Sequence, residues 1–491
     1  MEHFDVILAL IGMVVIVASL LSGALERRGV PLVAVFLALG VLLGPWGLGI
    51  VDIGFASPEL RVIATLALAL VLFTDAVSLN TRELGARRAL LVRLLGPGTL
   101  IPAAILTLAA MWLLELPLAA AAILGAALAS SDPVLLRGAL RSKALPDDVR
   151  TALRLETGMN DIVLLPIVVI AMIELGGSNA AVGPRALTHS LVGLFLLGPL
   201  LGAAVGWIGI TALGWARRHM GVRRDYESLY ALGLAFAAFA AAESVGGSGF
   251  VAAFGAGIMI DAADPELCDC FMEYGEATAE MFLLLTFVAL GTTLIWSGFD
   301  VMHWRTLVFA ALALGVRSVV LYPMLGGLGL AARDRALIAL LGPRGLSSLL
   351  LVLLPVFAGV SGAEGLFAVV CVVVLLSLVI HGGGIALYLG ARTPRRAAPA
   401  PAAAPADTPA PVSTPALAAR DDDDPRLTLD ELARLRARGE PLVIADARKD
   451  AAYYGDGLKA EGAVRIDPEE PVEDAEAHRL PREATIAVYC A

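Results

Sequence analysis

The fold of this chain is decided by two apolar stretches, GAALASSDPVLLRGAL at residues 125–140 and TALRLETGMNDIVLLPIVVI at residues 151–170. Both belong to apolar segments of about 20 residues, the length that crosses a bilayer, yet both contain acids. Their polar residues include Ser130, Ser131, Asp132, Glu156, Thr157, Asn160 and Asp161. A charged residue at the centre of a membrane helix costs roughly 2.5–3.5 kcal/mol on insertion scales. Several acids in one neighbourhood therefore predict a polar cavity, or an ion path across the membrane.

The composition of the whole chain is typical of a membrane protein. Of its 491 residues, 58% are hydrophobic and 17% are charged, whereas soluble globular proteins are about 45–50% apolar and about 25% charged. Apolar blocks run through residues 1–390, and the composition changes after Arg392. We therefore predict a membrane domain at residues 1–392, a Pro/Ala-rich linker at 393–425 and a small soluble piece at 426–491. Nothing in the pattern points to a nucleic-acid partner.

Thirteen apolar blocks predict thirteen membrane-spanning helices. The blocks lie at residues 4–25, 30–48, 60–79, 89–114, 118–140, 150–174, 188–216, 226–243, 247–261, 275–296, 303–325, 334–358 and 364–390. Alternate connections between them hold almost all of the Lys and Arg residues, whereas the opposite set holds only Arg61, Arg185 and Arg305. The positive-inside rule then predicts a multi-pass protein of the cell inner (plasma) membrane, with its amino terminus outside and its carboxyl terminus in the cytoplasm.

Two of the predicted spans are interrupted near their middle. Ser131-Asp132-Pro133 interrupts the fifth, because Pro removes a backbone donor and clashes with the preceding turn. Gly342-Pro343-Arg344-Gly345 interrupts the twelfth. Seven connections, an odd number, separate the two helices, so they cross the membrane in opposite directions. Paired breaks in inverted halves are typical of secondary transporters with a midplane site. The alternative is two independent proline kinks.

These motifs, in this order, resemble the signature series of the monovalent cation:proton antiporter family. The matching segments are Ser130-Ser131-Asp132-Pro133-Val134, Glu156-Thr157-x-x-Asn160-Asp161 and Gly342-Pro343-Arg344-Gly345. The Asn-Asp pair is similar to that of the branch with the NhaP-type sodium/proton antiporters and the animal exchangers. The resemblance implies an all-α polytopic fold like that of NhaA and NhaP, with inverted repeats and two broken, crossing helices. It also implies a homodimer in the lipid bilayer, no cofactor, no enzymatic activity, and exchange of protons for Na⁺ or, less specifically, Li⁺ or K⁺.

Asp161 is the residue expected to bind a proton and the cation in turn, so that competition for one carboxylate couples the two fluxes. Asp132, at the break, is expected either to coordinate the ion or to serve only as the N-cap of the second half-helix. Thr157 and Ser130 or Ser131 are candidate neutral oxygen ligands, which hard cations prefer.

The resemblance implies a structural ion pair between Glu156 and Arg344, because an unpaired charge in the interior would be costly. Asn160 stands where another branch carries a second Asp, which implies electroneutral exchange of one cation for one proton. Some relatives place an acidic ligand after Leu72-Phe73, and here Asp75 either takes that role or marks the helix end.

One predicted cytoplasmic connection, residues 261–280, is acidic and contains no Lys or Arg. It is interpreted either as a solvated loop or as a vestibule that raises the local cation concentration. The Cys268-x-Cys270 pair in it is too weak a pattern to predict a metal site, since no His lies near it.

The end of the chain has a globular pattern. Residues 442–446 (LVIAD) and 485–490 (TIAVYC) predict two buried strands, and together with Asp446-x-Arg448 they resemble a rhodanese-like α/β domain. In that family the cysteine closing this strand, here Cys490, carries persulfide sulfur. The sequence ends one residue later, so it is either a fragment of a longer protein or has an incomplete rhodanese-like domain, and we expect no sulfurtransferase activity from this chain.

Three alternatives to sodium/proton exchange remain open from the sequence. The first is a K⁺/H⁺ antiporter, and the second is a gated cation channel, which broken helices and acids also allow. The third is a membrane-anchored sulfur- or redox-sensing protein whose functional part is the rhodanese-like tail.

Overall fold

The computed structural model describes residues 11–20, 31–79, 87–141, 145–176, 188–189, 191–263 and 265–385, with short segments between 432 and 489. The chain divides into two units, Met1–Ala397 and Ala398–Ala491. The first unit is helical throughout its described part. The second contains the three strands found among the described residues.

The α-helices of the first unit are numbered in chain order. They are α1 (Ile11–Leu20), α2 (Leu32–Leu43), α3 (Pro58–Ser78), α4 (Arg88–Leu95), α5 (Pro97–Leu113), α6 (Leu118–Ala129), α7 (Pro133–Arg141), α8 (Asp147–Gly176), α9 (Gly198–His219), α10 (Arg224–Ser244), α11 (Gly249–Ala263), α12 (Pro265–Thr292), α13 (Trp304–Met324), α14 (Ala332–Leu340), α15 (Leu346–Phe357) and α16 (Ala363–Ser377). π-helical turns precede α9 (Gly193–Leu197) and follow α16 (Leu378–Gly382), and a 3₁₀-helix (Leu294–Phe299) follows α12.

Eight helical segments in the described residues are long and apolar enough to cross a bilayer, and four further apolar helices are shorter. Large apolar side chains remain exposed on several helices, such as Trp112 at 82% and Val319 at 75%. Exposure of this kind fits a surface that faces lipid. The chain is therefore a polytopic helical membrane protein, and the exact number of thirteen spans stays a prediction.

The helices of the first unit pack as two groups. One group contains α2, α3 and α9–α12, and the other contains α4–α8 and α13–α16. Helix α3 of the first group contacts α8 and α15 of the second. The acids of the second predicted stretch lie on α8, at this boundary between the groups.

Both predicted breaks are present, and both have local causes. Helix α6 ends at Ala129, Ser130 is extended (φ −64°, ψ 135°), and α7 begins at Pro133, where a missing backbone donor costs nothing. Helix α14 ends at Leu340, and α15 begins at Leu346, after Gly345 (φ −155°, ψ −133°), whose backbone is neither helical nor extended. Each predicted span is thus two half-helices joined by an unwound segment.

The second unit contains a parallel sheet of β1 (Leu442–Asp446), β2 (Val464–Arg465) and β3 (Thr485–Tyr489) in the order β2-β1-β3. The two predicted strands are present, with β1 central and Asp446 opposite Tyr489. The predicted assignment to a rhodanese-like domain stays a prediction, and Cys490 lies outside the described residues.

Candidate functional site

The two unwound segments meet each other. The backbone N–H of Asp132 donates to the carbonyl of Pro343 at 2.9 Å. Asp132 Oδ2 also lies 2.1 Å from the position that a Cβ on residue 345 would occupy. Glycine is therefore required at position 345 by the close approach of the Asp132 carboxylate, and not by its own backbone angles.

Asp161 reaches this crossing from the middle of α8. Its Oδ1 accepts a hydrogen bond from the hydroxyl of Ser130, the residue that follows α6. The buried Ser347, at the start of α15, lies within hydrogen-bonding reach of the same carboxyl group. Each broken helix thus supplies one hydroxyl to Asp161.

Several buried oxygens around the crossing have no hydrogen-bond partner among the described residues. They are Asp132 Oδ2, Asn160 Oδ1, Asp161 Oδ2 and Ser348 Oγ. Buried polar atoms in native proteins are normally paired, so unpaired ones call for an explanation. Carboxylate, amide and hydroxyl oxygens are the ligands that hard cations such as Na⁺ and K⁺ take. The two carboxylate oxygens can therefore receive either a cation or a proton.

The two carboxylate oxygens of Asp132 have different surroundings, and its role as an ion ligand stays a prediction. Its Oδ1 lies 3.5 Å from the backbone nitrogen of Val134, in the N-cap position of α7. Its Oδ2 faces the second break and has no hydrogen-bond partner in the part of the chain that the structure describes. One oxygen caps the half-helix, and the other remains available to an ion.

The predicted ion pair between Glu156 and Arg344 is wrong, because Glu156 pairs with a different arginine. Glu156 binds Arg317 of α13, whose Nε lies 2.7 Å from Oε1 and whose Nη2 bonds to Oε2. Glu156 and Arg317 are only 3% and 2% exposed. Arg317 stands 27 residues before Arg344 in the printed sequence, in a separate helix, and only the packing of α13 against the break brings it to Glu156.

Arg344 instead binds the end of the first half-helix. Its Nη1 donates to the carbonyls of Ala129 (2.9 Å) and Ser130 (2.7 Å), which α6 leaves without intrahelical partners. In the same way, Arg317 Nη1 donates to the carbonyls of Ile338 (2.8 Å) and Ala339 (2.6 Å) near the end of α14. Each first half-helix is therefore capped at its negative end by a buried guanidinium group.

The remaining predicted ligands occupy distinct positions. Ser131 lies on the ion-pair side, where its hydroxyl donates to Glu156 Oε1 at 3.2 Å. The Asn160 amide nitrogen donates to the Ser131 carbonyl at 3.3 Å, which joins α8 to the break. Thr157 is buried one turn before Asp161, and its hydroxyl donates to the Leu153 carbonyl of its own helix at 2.9 Å. Thr157 retains its lone pairs for a cation.

Asp75 is part-buried on α3, where it packs beside Gly158 of α8. The charges of Asp161, Asp132, Arg137 and Glu276 all act on it. Asp75 thus lies in the last turn of α3, beside the site and between the two groups of helices, and its role as an ion ligand stays a prediction.

An ion pair joins the two groups of helices at the same boundary. Arg137 of α7 binds Glu280 of α12 at 2.7 Å, and their side chains are 22% and 28% exposed. Of the acidic connection predicted at 261–280, the side chains of residues 264–273, with Cys268 and Cys270, lie outside the described residues. Whether this connection is a vestibule therefore stays a prediction.

Sequence reasoning missed Ser347 and did not identify Arg317 as the partner of Glu156. The signal for Ser347 was its position: it is the second residue after the second break, as Ser130 and Ser131 adjoin the first. Glu243, also an acid in an apolar run, does not join the site. Its carboxylate accepts from the backbone N–H of Gly249 at 2.8 Å and so holds the start of α11.

In the second unit, Asp446 is buried at the end of β1. Its carboxylate accepts from the Arg448 guanidinium at 2.9 Å and from the Tyr489 hydroxyl at 2.8 Å. The hydrogen bonds from Arg448, and then that from Tyr489, lower the pKa of Asp446 to about 2. This cluster fixes the ends of two strands.

The chain is similar in sequence to known proteins. A family model described as "Sodium/hydrogen exchanger, transmembrane" matches residues 13–391. The K⁺/H⁺ antiporter NhaP of Alkalimonas amylolytica is 28% identical over 414 residues, which cover 81% of this chain and 69% of that protein. The K⁺/H⁺ antiporter NhaP2 of Shewanella sp. strain MR-4 is 27% identical over 373 residues, covering 75% of this chain and 64% of that protein. The chain thus spans about two thirds of the length of these relatives.

Solved structures show the same fold. The sodium proton antiporter MjNhaP1 from Methanocaldococcus jannaschii at pH 8 matches with a TM-score of 0.62 and 19% identity, over 78% of this chain and all of that one. An electron-microscopy structure of the same antiporter gives a TM-score of 0.60. At this level of identity the likeness concerns the fold alone.

Proposed function

Because the chain belongs to the sodium/hydrogen exchanger family, we propose that it is a secondary transporter that exchanges protons for a monovalent cation across the membrane. The observation that carries the proposal is the Asp161 carboxylate, which is buried at the crossing of two broken helices and whose Oδ2 has no hydrogen-bond partner among the described residues. A buried carboxylate needs a counter-charge. A proton or a cation supplies it, and the site holds one or the other.

The residues around Asp161 perform separate tasks. Asp132 Oδ2, Asn160 Oδ1 and the hydroxyls of Ser130 and Ser347 replace the hydration shell of a cation bound at Asp161 Oδ2. When the cation leaves, the Ser130 hydroxyl keeps its hydrogen bond to Asp161 Oδ1, and a proton occupies Oδ2. Asp75, beside Gly158, provides a further carboxylate on the way to the site.

The charge of the buried cluster supports a one-for-one exchange. Three acids (Asp132, Glu156 and Asp161) and two arginines (Arg317 and Arg344) are each at most 3% exposed at the crossing. With all five ionised, the cluster carries one net negative charge. One monovalent cation or one proton neutralises it, so either loaded form can move through the membrane without a net charge.

The broken helices also provide a means of alternating access. The site residues lie on α8 and at the two breaks, which belong to one group of helices, whereas Asp75 and Glu280 belong to the other. Movement of one group against the other would expose the site to each side of the membrane in turn. The predicted homodimer and the predicted orientation, with the carboxyl terminus in the cytoplasm of the inner (plasma) membrane, belong to the same proposal.

The identity of the cation has two candidates. The sequence resemblance predicts Na⁺, and the solved structure of similar fold is a sodium proton antiporter. The relatives of similar sequence are named K⁺/H⁺ antiporters. Li⁺ is a further candidate from the sequence. Exchange assays with each cation decide between them.

The test uses proteoliposomes with a pH-sensitive dye and a preset pH difference, to which Na⁺, Li⁺ or K⁺ is added in turn. We expect at least one cation to dissipate the pH difference with saturable kinetics and Asp161→Asn to abolish the signal. Asp300→Asn, in an exposed loop, is the matched control and should be as active as the wild type. Non-saturable flux independent of the proton gradient would indicate a channel, and no proton movement with any cation would contradict the proposal.

The tail is proposed as an additional small domain without transport function. The parallel order of its three described strands is compatible with the rhodanese-like resemblance of the sequence. Proteoliposomes containing the chain shortened after Arg392 should exchange cations at the wild-type rate. A large loss of exchange in the shortened chain would instead assign the tail a role in transport.

A further inference from the structure

Two polar residues at the end of α16 and just after it play no part in the proposed exchange. Helix α16 passes at Ser377 into a π-helical turn, Leu378–Gly382, which carries His381. π-helical turns are rare and frequently stand at functional sites. Ser377 is fully buried, and His381 is half-buried one turn later.

Ser377 connects this turn to the second break. Its hydroxyl oxygen accepts the backbone N–H of Arg344 at 2.7 Å. The same hydroxyl lies 3.2 Å from His381 Nδ1. The oxygen accepts from Arg344 with one of its two lone pairs, so it can donate its hydrogen to Nδ1 or accept from a protonated Nδ1 with the other lone pair. Donation to Nδ1 requires a neutral imidazole with its proton on Nε2.

Arg344 extends the chain of hydrogen bonds to the ion site. Its Nη1 donates to the Ser130 carbonyl at 2.7 Å and to the Ser131 hydroxyl at 3.3 Å. The Ser130 hydroxyl in turn bonds to Asp161. A half-buried imidazole is thus linked to the cation-binding carboxylate through the backbone and the side chain of one residue in the break.

We propose that Ser377 and His381 are positioning residues for the second break, and that exchange is fastest when His381 is neutral and accepts the Ser377 hydroxyl. This inference rests on the proposed antiport, and it adds a proton-sensitive element outside the ion site. Protonation of His381 Nδ1 replaces an acceptor with a donor, so the Ser377 hydroxyl loses the partner that orients it.

The charges that face His381 act in the same direction. Among the described residues, the positive charges that act on His381 from a distance are those of Arg344 and Arg317, of which Arg317 is bound to Glu156. A positive imidazolium would be repelled by Arg344 in particular, since Arg344 Nε and Nη2 have no hydrogen-bond partner among the described residues. Acidification should therefore weaken the contact that Ser377 makes with the second break. This effect is independent of the protons that compete with the cation at Asp161.

The experiment separates these two effects by measuring exchange against pH at low and at saturating cation concentration. Competition at Asp161 is relieved by saturating cation, whereas an effect of His381 is not. The test variant is His381→Asn, because asparagine Oδ1 occupies the position of Nδ1 and accepts a hydrogen bond at every pH. We expect it to keep wild-type exchange at alkaline pH and, at saturating cation, to remain active about one pH unit further into the acid range.

The matched control is His219→Asn, since His219 is an exposed residue at the end of α9 that bonds only locally, to the Trp215 carbonyl at 2.9 Å. Its pH profile should match the wild type. Ser377→Ala should reduce exchange about tenfold at all pH values, the effect of losing a positioning contact worth about 1.4 kcal/mol in the transport barrier, and Ser377→Thr should restore it. Superimposable wild-type and His381→Asn profiles at saturating cation would overturn the proposal, as would full activity of Ser377→Ala.

A second measurement does not depend on transport. Thermal unfolding of the purified protein should show a lower Tm for the wild type on acidification, and His381→Asn should lose less Tm over the same pH range. This result would stand even if no cation were exchanged, so failure of the proposed antiport and failure of the His381 inference remain distinguishable. Equal acid-induced changes in Tm for the two proteins would contradict the inference, even if Ser377→Ala failed to fold.

Discussion

Arg317 Nε lies 2.7 Å from Glu156 Oε1, and the Nη1 of the same guanidinium group binds the carbonyl of Ala339 at 2.6 Å. One side chain therefore neutralises the buried acid of α8 and caps the half-helix that precedes the second break. The ion pair has a structural role, because it connects α8, the helix that carries Asp161, to the second break.

The first prediction concerns removal of this pair. Arg317→Ala should lower stability by about 3–5 kcal/mol, because it leaves a buried carboxylate without its partner. Arg317→Lys should not restore it, since an ammonium group cannot make the bidentate contact and cap Ala339 at once. Thermal unfolding measures the loss. The control is Arg305→Ala, which breaks the exposed pair with Glu115 and should cost about 0–1 kcal/mol. A small loss of stability for Arg317→Ala would contradict the assignment of this pair. A larger loss for Arg344→Ala that came from a contact with Glu156 would also contradict it.

The second prediction concerns Gly345. A Cβ at this position would lie 2.1 Å from Asp132 Oδ2 and 2.6 Å from its Cγ. Gly345→Ala should displace the Asp132 carboxylate and reduce exchange about 100-fold, as a misplacement of about 1 Å at a reacting centre does. Gly138→Ala, on α7, has open space around its Cβ and should be neutral. Exchange assays with both variants, after a check of folding by size-exclusion chromatography, provide the test. Full activity of Gly345→Ala would show that the position of Asp132 is unimportant.

The third prediction concerns the ion pair between Arg137 and Glu280, which joins the two groups of helices at one end of their boundary. If the groups move against each other, this pair must break in each cycle. Reversing one charge, in Arg137→Glu or Glu280→Arg, should change the exchange rate about threefold to tenfold, which corresponds to about 0.7–1.4 kcal/mol in the barrier. The double reversal should restore the wild-type rate. The exposed pair Arg87–Asp148 lies within one group, and its reversal should have little effect. Additive effects of the two reversals would mean that the residues act separately.

The fourth prediction concerns Asp446 in the second unit. Hydrogen bonds from Arg448 lower its pKa from 3.8 to about 2. A lowered pKa means that the ionised form is favoured in the folded state, so its stabilisation is present above pH 3.8 and is lost as the pH falls towards 2. Asp446→Asn should therefore speed hydrogen exchange of β1 and β3 in the full chain at neutral pH. The difference from the wild type should shrink below pH 3, and a difference that is constant with pH would rule out the charge as its cause.

Much of the site could be predicted from the sequence because its causes are local. Pro133 follows Ser131-Asp132 and Pro343 follows Gly342, and these combinations favour the end of a helix, whereas Pro102 and Pro166 lie inside α5 and α8. Asp132 precedes Pro133, so its position at an N-cap follows from the same fact. The side chains of Asp161 and Asn160 stand out because they are polar residues within an apolar segment.

What the sequence by itself determined, then, is the class of the protein, the two breaks, and the polar residues within the apolar segments. Only the tertiary structure decided that Glu156 pairs with Arg317, while Arg344 caps α6 and is held by Ser377. The physical reason is that both arginines are long, buried and positively charged, and both lie far from Glu156 along the chain. Which of them reaches the carboxylate depends on where α13 and the second break lie against α8, and no local preference encodes that distance.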